Sequence, residues 1–309
     1  MMARVLAIGG AHIDRTCRLD APHRPGASNP GTWESHIGGG VFNACRNLAR
    51  LGHEVTLVSA RGGDPVGEAV SNAAEAAGID DRPMTFLDRS TASYTAILEP
   101  DGNLVTAVAD MSIYERIPPR RMLTARFRDL VRNTDLLLCD ANFPAPTLET
   151  FGLIARKTGL PLAAIAISPA KVVKLSGVIE DLSALFMNTA EADALTGQHK
   201  HQYQHRIEAL RTLGLGGAVV TNGPEAITAY LGEEQAAHMP PPLPALSDVT
   251  GAGDALASGV LHARFSGHDL ATCLEVGIAL SRLTVAVPGP VRDDLTPELL
   301  DRTIAELRG

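Results

Sequence analysis

Short apolar runs alternate with helically spaced patterns along most of the chain. RVLAIGG (4–10) has the length and composition of a buried strand, and VFNACRNLARLG (41–52) repeats its apolar residues at helical spacing before a terminating glycine. The pairing recurs in EVTLVSA (54–60) with GEAVSNAAEAAG (67–78), and in TDLLLCDAN (134–142) with APTLETFGLIARKTG (145–159). LPLAAIAIS (160–168), LSALFMN (182–188) and GGAVVTNG (216–223) are further strand candidates. Alternating strands and helices predict a doubly wound α/β fold, a mostly parallel sheet with helices on both faces. From Ala252 onward helical spacing dominates, through DLATCLEVGIALSRLTVAV to PELLDRTIAEL.

Two segments break this rhythm. SYTAILEPDGNLVTAVAD (93–110) reads as two strands joined at Asp101-Gly102, a hairpin signal. AHIDRTCRLDAPHRPGASNPGTWESH (11–36) lacks helical period and is rich in turn formers. Together, residues 11–36 and 91–110 predict a small β lid over one end of the sheet, on a chain that forms a single domain over 1–309. In doubly wound folds ligands bind outside the carboxyl ends of the strands, where such a flap would cover them. A second copy could pair through the same flap as a homodimer.

Composition narrows the classes. The 309 residues are 45% hydrophobic and 20% charged, ordinary for a globular chain. A formal net charge of −8 argues against nucleic acid or an anionic membrane as partner. Cys17, Cys45, Cys139 and Cys273 form no C-x-x-C pair, which predicts reduced thiols in a cytosolic compartment. The N-terminal apolar run is too short for a signal peptide, and nothing approaches 18 uninterrupted apolar residues. The expectation is a soluble, cytoplasmic protein.

Chemistry concentrates in three short segments. SDVTGAGDALASGV (247–260) follows the proline-rich stretch at Pro240, Pro241, Pro242 and Pro244 and opens a long helix. The amides of Gly251, Ala252 and Gly253 would cradle an anion there, with Asp254 beside it; the plainer reading is an acid in a first helical turn. GGGVFN (38–43) sets Gly38 and Gly39 before Asn43, again at a helix opening. NTAEADALTG (188–197) places Asn188 and Glu191 three apart where a strand meets a helix.

In this order and spacing the segments resemble the ribokinase, or phosphofructokinase-B, family of sugar and nucleoside kinases. The matches span nearly the whole chain: Asp14 after the first strand, GG-x-x-x-N, N-x-x-E, VVTNG and D-x-T-G-A-G-D. The resemblance implies an ATP-dependent, Mg2+-requiring phosphoryl transfer, which asks a protein mainly for positioning and charge stabilisation. It implies Asp254 as the base toward the substrate hydroxyl and the Gly251, Ala252 and Gly253 amides as the hold on the transferring group. Asn188 and Glu191 would organise magnesium through its waters; the alternative for that pair is an acid favoured by the helix dipole. Asp14, Gly38, Gly39 and Asn43 match sugar-binding positions, and Thr221 and Gly223 the nucleotide site. Asp248 and Thr250 match positions that contribute to a monovalent-cation (K+) site in several relatives.

A finer likeness concerns the substrate. SNPG (28–31), SYTAILEPDGNLVTAVADMSI (93–113) and ISPAK (167–171) resemble segments of pseudouridine kinases. They make Ser93, Asp110, Asn142 and Lys171 candidates for substrate contacts, against a solvated surface lysine as the plain reading of Lys171. Asp110 or the Asn142 oxygen would accept the N1–H that distinguishes pseudouridine from uridine, and Lys171 would donate to a base carbonyl. Three positions depart from the family pattern: His12 stands where Asn is usual, AIAISPAK lacks the usual Asp, and TNGPEAI lacks a second glycine. The alternatives are another ribosyl or sugar kinase, ribokinase-like or 2-keto-3-deoxygluconate kinase-like, and a non-catalytic ligand-binding protein on the same fold. An intact GAGD speaks against the last.

Other features are read as structural. His199, His201 and His205 form a solvated helix start rather than a zinc site. IGGAHID is not G-x-G-x-x-G, so no dinucleotide loop is expected. Trp33 and Phe86 are read as packing residues.

Overall fold

The computed structural model describes residues 2–197, 203–242 and 248–308. Nine strands form the main sheet, in the order Glu234–His238, Ile227–Leu231, Gly217–Thr221, Ala184–Asn188, Leu162–Ile165, Leu136–Asp140, Arg4–Ile8, Glu54–Val58, Asp80–Asp81. From Gly217–Thr221 to Asp80–Asp81 every pairing is parallel. The two strands at the other edge are antiparallel.

Alternation along a strand divides the core between two faces. Val5, Ala7, Leu57, Leu136 and Leu138 pack on one side, with the Gly40–Arg50, Ala252–Phe265 and Leu270–Val285 helices. Leu6, Ile8, Val58, Leu137 and Cys139 pack on the other, with the Ala145–Thr158 helix. The two long C-terminal helices meet backbone to backbone: a Cβ on Gly259 would lie 2.7 Å from the Gly277 Cα. Chain order reverses at Arg4–Ile8, whose neighbours are Glu54–Val58 on one side and Leu136–Asp140 on the other. A switch of this kind opens a crevice at the strands' carboxyl ends, where ligands bind in doubly wound folds.

A second, four-stranded sheet has the order Gly31–Gly38, His12–Leu19, Ser93–Leu98, Leu104–Asp110. Its hairpin turns at Asp101-Gly102, where Gly102 has φ 91° and the Asn103 amide donates to Asp101 Oδ1. Trp33 lies on the Gly31–Gly38 strand, 56% exposed. The turn-rich residues 11–36 are mostly two long strands in register from His12↔Gly38 to Leu19↔Gly31.

Several elements went unread in the sequence. ITAYL and EQAAH form the antiparallel edge hairpin, and residues 112–132 fold as two 3-10 turns and the Ala125–Arg132 helix. The strand expected over 160–168 stops at Ile165, because Ile167 adopts φ 76°, a left-handed conformation costly for a β-branched residue. Among the described residues no helix is long and apolar enough to cross a membrane, and the four cysteines are free and buried.

Candidate active site

Gly251 stands at the head of the Ala252–Phe265 helix with φ 77°, and a Cβ there would lie 2.0 Å from the Pro290 carbonyl oxygen. Only glycine fits this entry. The Ala252 amide turns back to the Val249 carbonyl at 3.2 Å, which leaves the expected cradle to the Gly251 and Gly253 amides. Asp254 occupies the first turn, and its Oδ2 accepts from Asn43 Nδ2 at 2.8 Å. Asn43 comes from the Gly40–Arg50 helix, and its Oδ1 accepts from Arg46 Nη2 at 2.6 Å. A guanidinium can only donate, so Arg46 turns the Asn43 oxygen toward itself and the NH2 toward Asp254. Arg46 is fixed in turn by the Ile37 carbonyl at 2.6 Å and by stacking 4.9 Å from the Phe42 ring centroid.

Burial pushes the Asp254 carboxyl up to about 7; the Asn43 hydrogen bond opposes this, Asp140 and Asp14 add to it, and Arg46 counteracts it. A carboxylate poised near neutrality, with one oxygen held and the other without a hydrogen-bond partner among the described residues, is suited to accept a proton. The mouth beside it is narrow: a Cβ on Gly40 would approach Asp254 Oδ1 to 3.2 Å and Ile167 Cδ1 to 2.5 Å.

A second polar group fills the crevice at the switch point. Asp140, at the end of its strand and fully buried, accepts from the Gly10 amide at 2.8 Å and the Asn142 amide at 2.9 Å. Burial raises its carboxyl above the usual range, and these amides and Lys171 oppose the rise. Lys171 Nζ donates to Asn142 Oδ1 at 2.6 Å, and burial lowers the ammonium, with Asp140 opposing. Lys171 is therefore not a solvated surface lysine. Its bond also corrects the role expected for Asn142: the oxygen is engaged by Lys171 and is not free to accept from a substrate. A Cβ on Gly10 would lie 2.6 Å from Asn142 Nδ2, and one on Gly9 2.5 Å from Val41 Cβ. IGG is thus built for close approach.

Asp14 lies on the His12–Leu19 strand against the glycine segment. A Cβ on Gly38 would reach 2.0 Å from Asp14 Oδ2, and Gly39 has φ 117° with the Gly10 carbonyl beneath it. The departure at His12 has a visible consequence: its ring sits 3.3 Å from Asp14 Oδ1 and 3.3 Å from the Tyr114 hydroxyl. Tyr114 in turn bonds both the amide and the carbonyl of Ala11. Ser93 and Asp110 face each other across the end of the second sheet, and Ser93 also pairs with Ile13. Asp110 Oδ1 accepts from Ser112 Oγ at 2.8 Å.

Two joined cavities run along the helix head. The larger, about 810 Å³, is walled by Thr221, Gly223, Pro240, Pro241, Val249, Ala252, Gly253, Ile278 and Val285. Its apolar character suits a planar base. The smaller, about 140 Å³, holds Asn188, Glu191 and Asp254 and shares Thr221, Gly253 and Leu256 with the larger. Asn188 and Glu191 form a reciprocal capping box: Asn188 Oδ1 accepts from the Glu191 amide at 2.9 Å, and Glu191 Oε2 from the Asn188 amide at 2.7 Å. The helix-start reading of this pair therefore holds, and the same geometry turns a buried acid into the cavity beside Asp254. Burial raises the Glu191 carboxyl, against the Asn188 amide. Glu191 Oε1 has no hydrogen bond among the described residues.

Asp248 Oδ1 takes both the amide and the hydroxyl of Thr250, at 2.9 and 2.7 Å, a closed turn next to Gly251. His199 and His201 lie outside the described residues, and His205 is on the Tyr203–Thr212 helix. Among the described residues no group of three or more metal-binding side chains occurs. Sequence reasoning missed Arg46, Asp140, Tyr114 and Ile167, none of which belongs to a motif with local spacing.

Comparison with known proteins agrees over the whole chain. The pfkB family carbohydrate kinase model matches residues 2–296. A carbohydrate kinase from Agrobacterium tumefaciens is 49% identical, superposes with a TM-score of 0.88, and the match covers 98% of this chain and 97% of that one. Pseudouridine kinase of Escherichia coli (strain K12) is 23% identical over 94% of this chain and 93% of its own length. Arabidopsis thaliana ribokinase, solved with ribose and ATP, shares the fold at 20% identity and a TM-score of 0.85, covering 98% of this chain and 99% of that one.

Proposed function

The chain belongs to the pfkB family of carbohydrate kinases, and from that premise we propose that it transfers the γ-phosphoryl group of ATP to the 5′-hydroxyl of a ribosyl substrate, pseudouridine first among them. The observation that carries the transfer is the Asn43-held Asp254 carboxylate, raised to about 7, at the junction of an apolar cleft and a smaller acidic cavity. In this reading the 810 Å³ cleft takes the adenosine of ATP, and the Gly251 and Gly253 amides meet the phosphates. Asp254 receives the hydroxyl proton as the oxygen attacks the γ-phosphorus and the bond from that phosphorus to the bridging oxygen breaks, releasing ADP. Magnesium, held through water by Glu191 and by the nucleotide, would neutralise phosphate charge. Asp248 and Thr250 are proposed for potassium, tested by exchange for a bulky organic cation. Trp33, Leu104 and Val108, exposed on the second sheet, support a homodimer through that sheet.

On the acceptor side, Asp14 and Asn43 address ribose hydroxyls, and Gly38 and Gly39 let the sugar approach the backbone. The half-buried Lys171 ammonium, anchored on Asn142, suits a carbonyl or hydroxyl acceptor of the substrate. The N1–H acceptor falls to Asp110, exposed at the end of the second sheet opposite Ser93, where a bound nucleoside would cover it. Once the substrate covers it, an acceptor left unpaired by uridine discriminates by up to about 10⁴–10⁵, against about 10–200 for shape alone. The test is a phosphorylation screen with pseudouridine, uridine, adenosine, ribose, fructose and 2-keto-3-deoxygluconate. A kcat/KM for pseudouridine far above uridine supports the reading. Equal use of both, or preference for a free sugar, overturns the substrate and leaves the kinase.

A further inference from the structure

Away from the two joined cavities, a separate concavity of about 340 Å³ lies between the Met84–Phe86 strand and the Pro119–Leu123 and Ala125–Arg132 helical segments. Its floor is apolar: Val58 and Phe127 are buried, Met84 and Phe86 half-buried. Arg82, Arg121 and Arg126 line it. Arg82 is paired with Asp80 at 2.9 Å, whereas among the described residues Arg121 and Arg126 form no ion pair. RIPPRRMLTARFR (116–128) carries five arginines and no acid, on a chain whose formal charge is −8.

Unpaired arginines on a convex surface are simply solvated. These line a hollow with an aromatic floor, so an anion entering it meets two guanidinium forks where part of the water is already excluded. Thr124 Oγ1 accepts from the Phe127 amide at the adjoining helix start and donates to the Arg121 carbonyl, and the dipole there has the same sign as the arginines. Two forks match the terminal oxygens of a phosphomonoester better than a single carboxylate. The volume is at the lower end of small-ligand sites, about 300–1,000 Å³, which favours a monophosphate over a triphosphate or a macromolecule.

We propose that this cavity is a second binding site for a small organic phosphate, a nucleoside or sugar monophosphate, with its phosphate on Arg121 and Arg126 and its organic body on Phe86 and Phe127. The product of a sugar or nucleoside kinase falls in this class. The wall of the site follows the second sheet's last strand through Ser112–Arg116, whose Tyr114 bonds Ala11 beside the crevice.

Trp33 is the only tryptophan, so Trp33→Phe with Leu123→Trp moves the single tryptophan to a position between the lining residues Arg121 and Thr124. The full chain carrying both is titrated with uridine 5′-monophosphate, glucose 6-phosphate, inorganic phosphate and heparin. Saturable change with at least one ester, weakened about tenfold or more by Arg121→Ala with Arg126→Ala, supports the site. Inorganic phosphate should bind more weakly, and turnover without added ester should be unchanged in the arginine variant. No saturable change, a response that survives both arginine substitutions, phosphate binding as tight as either ester, or a response to heparin alone overturns the proposal. None of these outcomes bears on the transfer chemistry, because the readout is binding at this cavity.

Discussion

Two carboxylates, Asp140 fully buried and Asp254 half-buried, stand at the same edge of the main sheet and are held in opposite ways. Asp140 ends a central strand with both oxygens taken by backbone amides, of Gly10 and Asn142. Asp254 opens a helix with a single side-chain donor, Asn43, on one oxygen. Burial disfavours the charge on each, but the amides spend Asp140's lone pairs on fixing the glycine turn and the Asn142–Lys171 pair. Asp254 keeps an oxygen facing a cavity. The same residue type is scaffold in one region and the proposed proton acceptor in the other, and the number of committed oxygens separates the two.

The largest effect expected from this contrast is on turnover. Asp254→Asn keeps size and the Asn43 contact but cannot take a proton, so kcat should fall by roughly 10²–10⁴-fold with substrate binding little changed. Asp140→Asn should not reproduce that loss. Steady-state kinetics of both variants decide it, and near-normal turnover in Asp254→Asn removes the residue from the chemistry.

The same substitution should stabilise the fold. A carboxyl raised from 3.8 to about 7 contributes stability that is present below its unfolded value and lost as pH rises through 7. Asp254→Asn should therefore exceed wild type above pH 7 by on the order of a few kcal/mol, the gap closing toward pH 4. Denaturant melts at pH 8 and pH 4 measure this; an equal gap at both would show that Asp254 is not held up in pKa.

Asp140→Asn sharpens the contrast from the other side. An amide offers one acceptor oxygen where two N–H groups need one each, so at pH 4, where the burial penalty on the charge is largely absent, stability should drop by about 1–3 kcal/mol. An Asp140→Asn protein as stable as wild type would mean that the Gly10 and Asn142 amides find other acceptors.

The smallest effects test what surrounds Asp254. The acid limb of kcat/KM should lie near pH 7, rate rising as Asp254 ionises, and Arg46→Met should move it upward because Arg46 favours the anion. An unmoved limb in that variant would sever Arg46 from the base. Ile167→Gly should relieve a backbone strain of about 1–3 kcal/mol while removing an apolar wall. The net change in melting temperature should be slight and the loss of activity modest; a large melting loss would show that packing outweighs the strain.

The sequence by itself determined what is written within a few residues. Hydrophobic period marked the alternating strands and helices, Asp101-Gly102 marked the hairpin, and N-x-x-E and GAGD marked two helix openings. Each rests on local backbone chemistry, as the Asn188–Glu191 capping box and the left-handed Gly251 illustrate. The edge hairpin at 227–238 escaped because short runs such as ITAYL and EQAAH have no period of their own, and pairing with a neighbouring strand makes them strands. Only the tertiary structure decided the electrostatics. The polarity of Asn43 depends on Arg46, that of Asn142 on Lys171, and the load on Asp254 on burial and on Asp140, 114 positions away in the chain. Desolvation and the choice of hydrogen-bond partner are set by what the fold brings alongside, and no spacing along the sequence carries that.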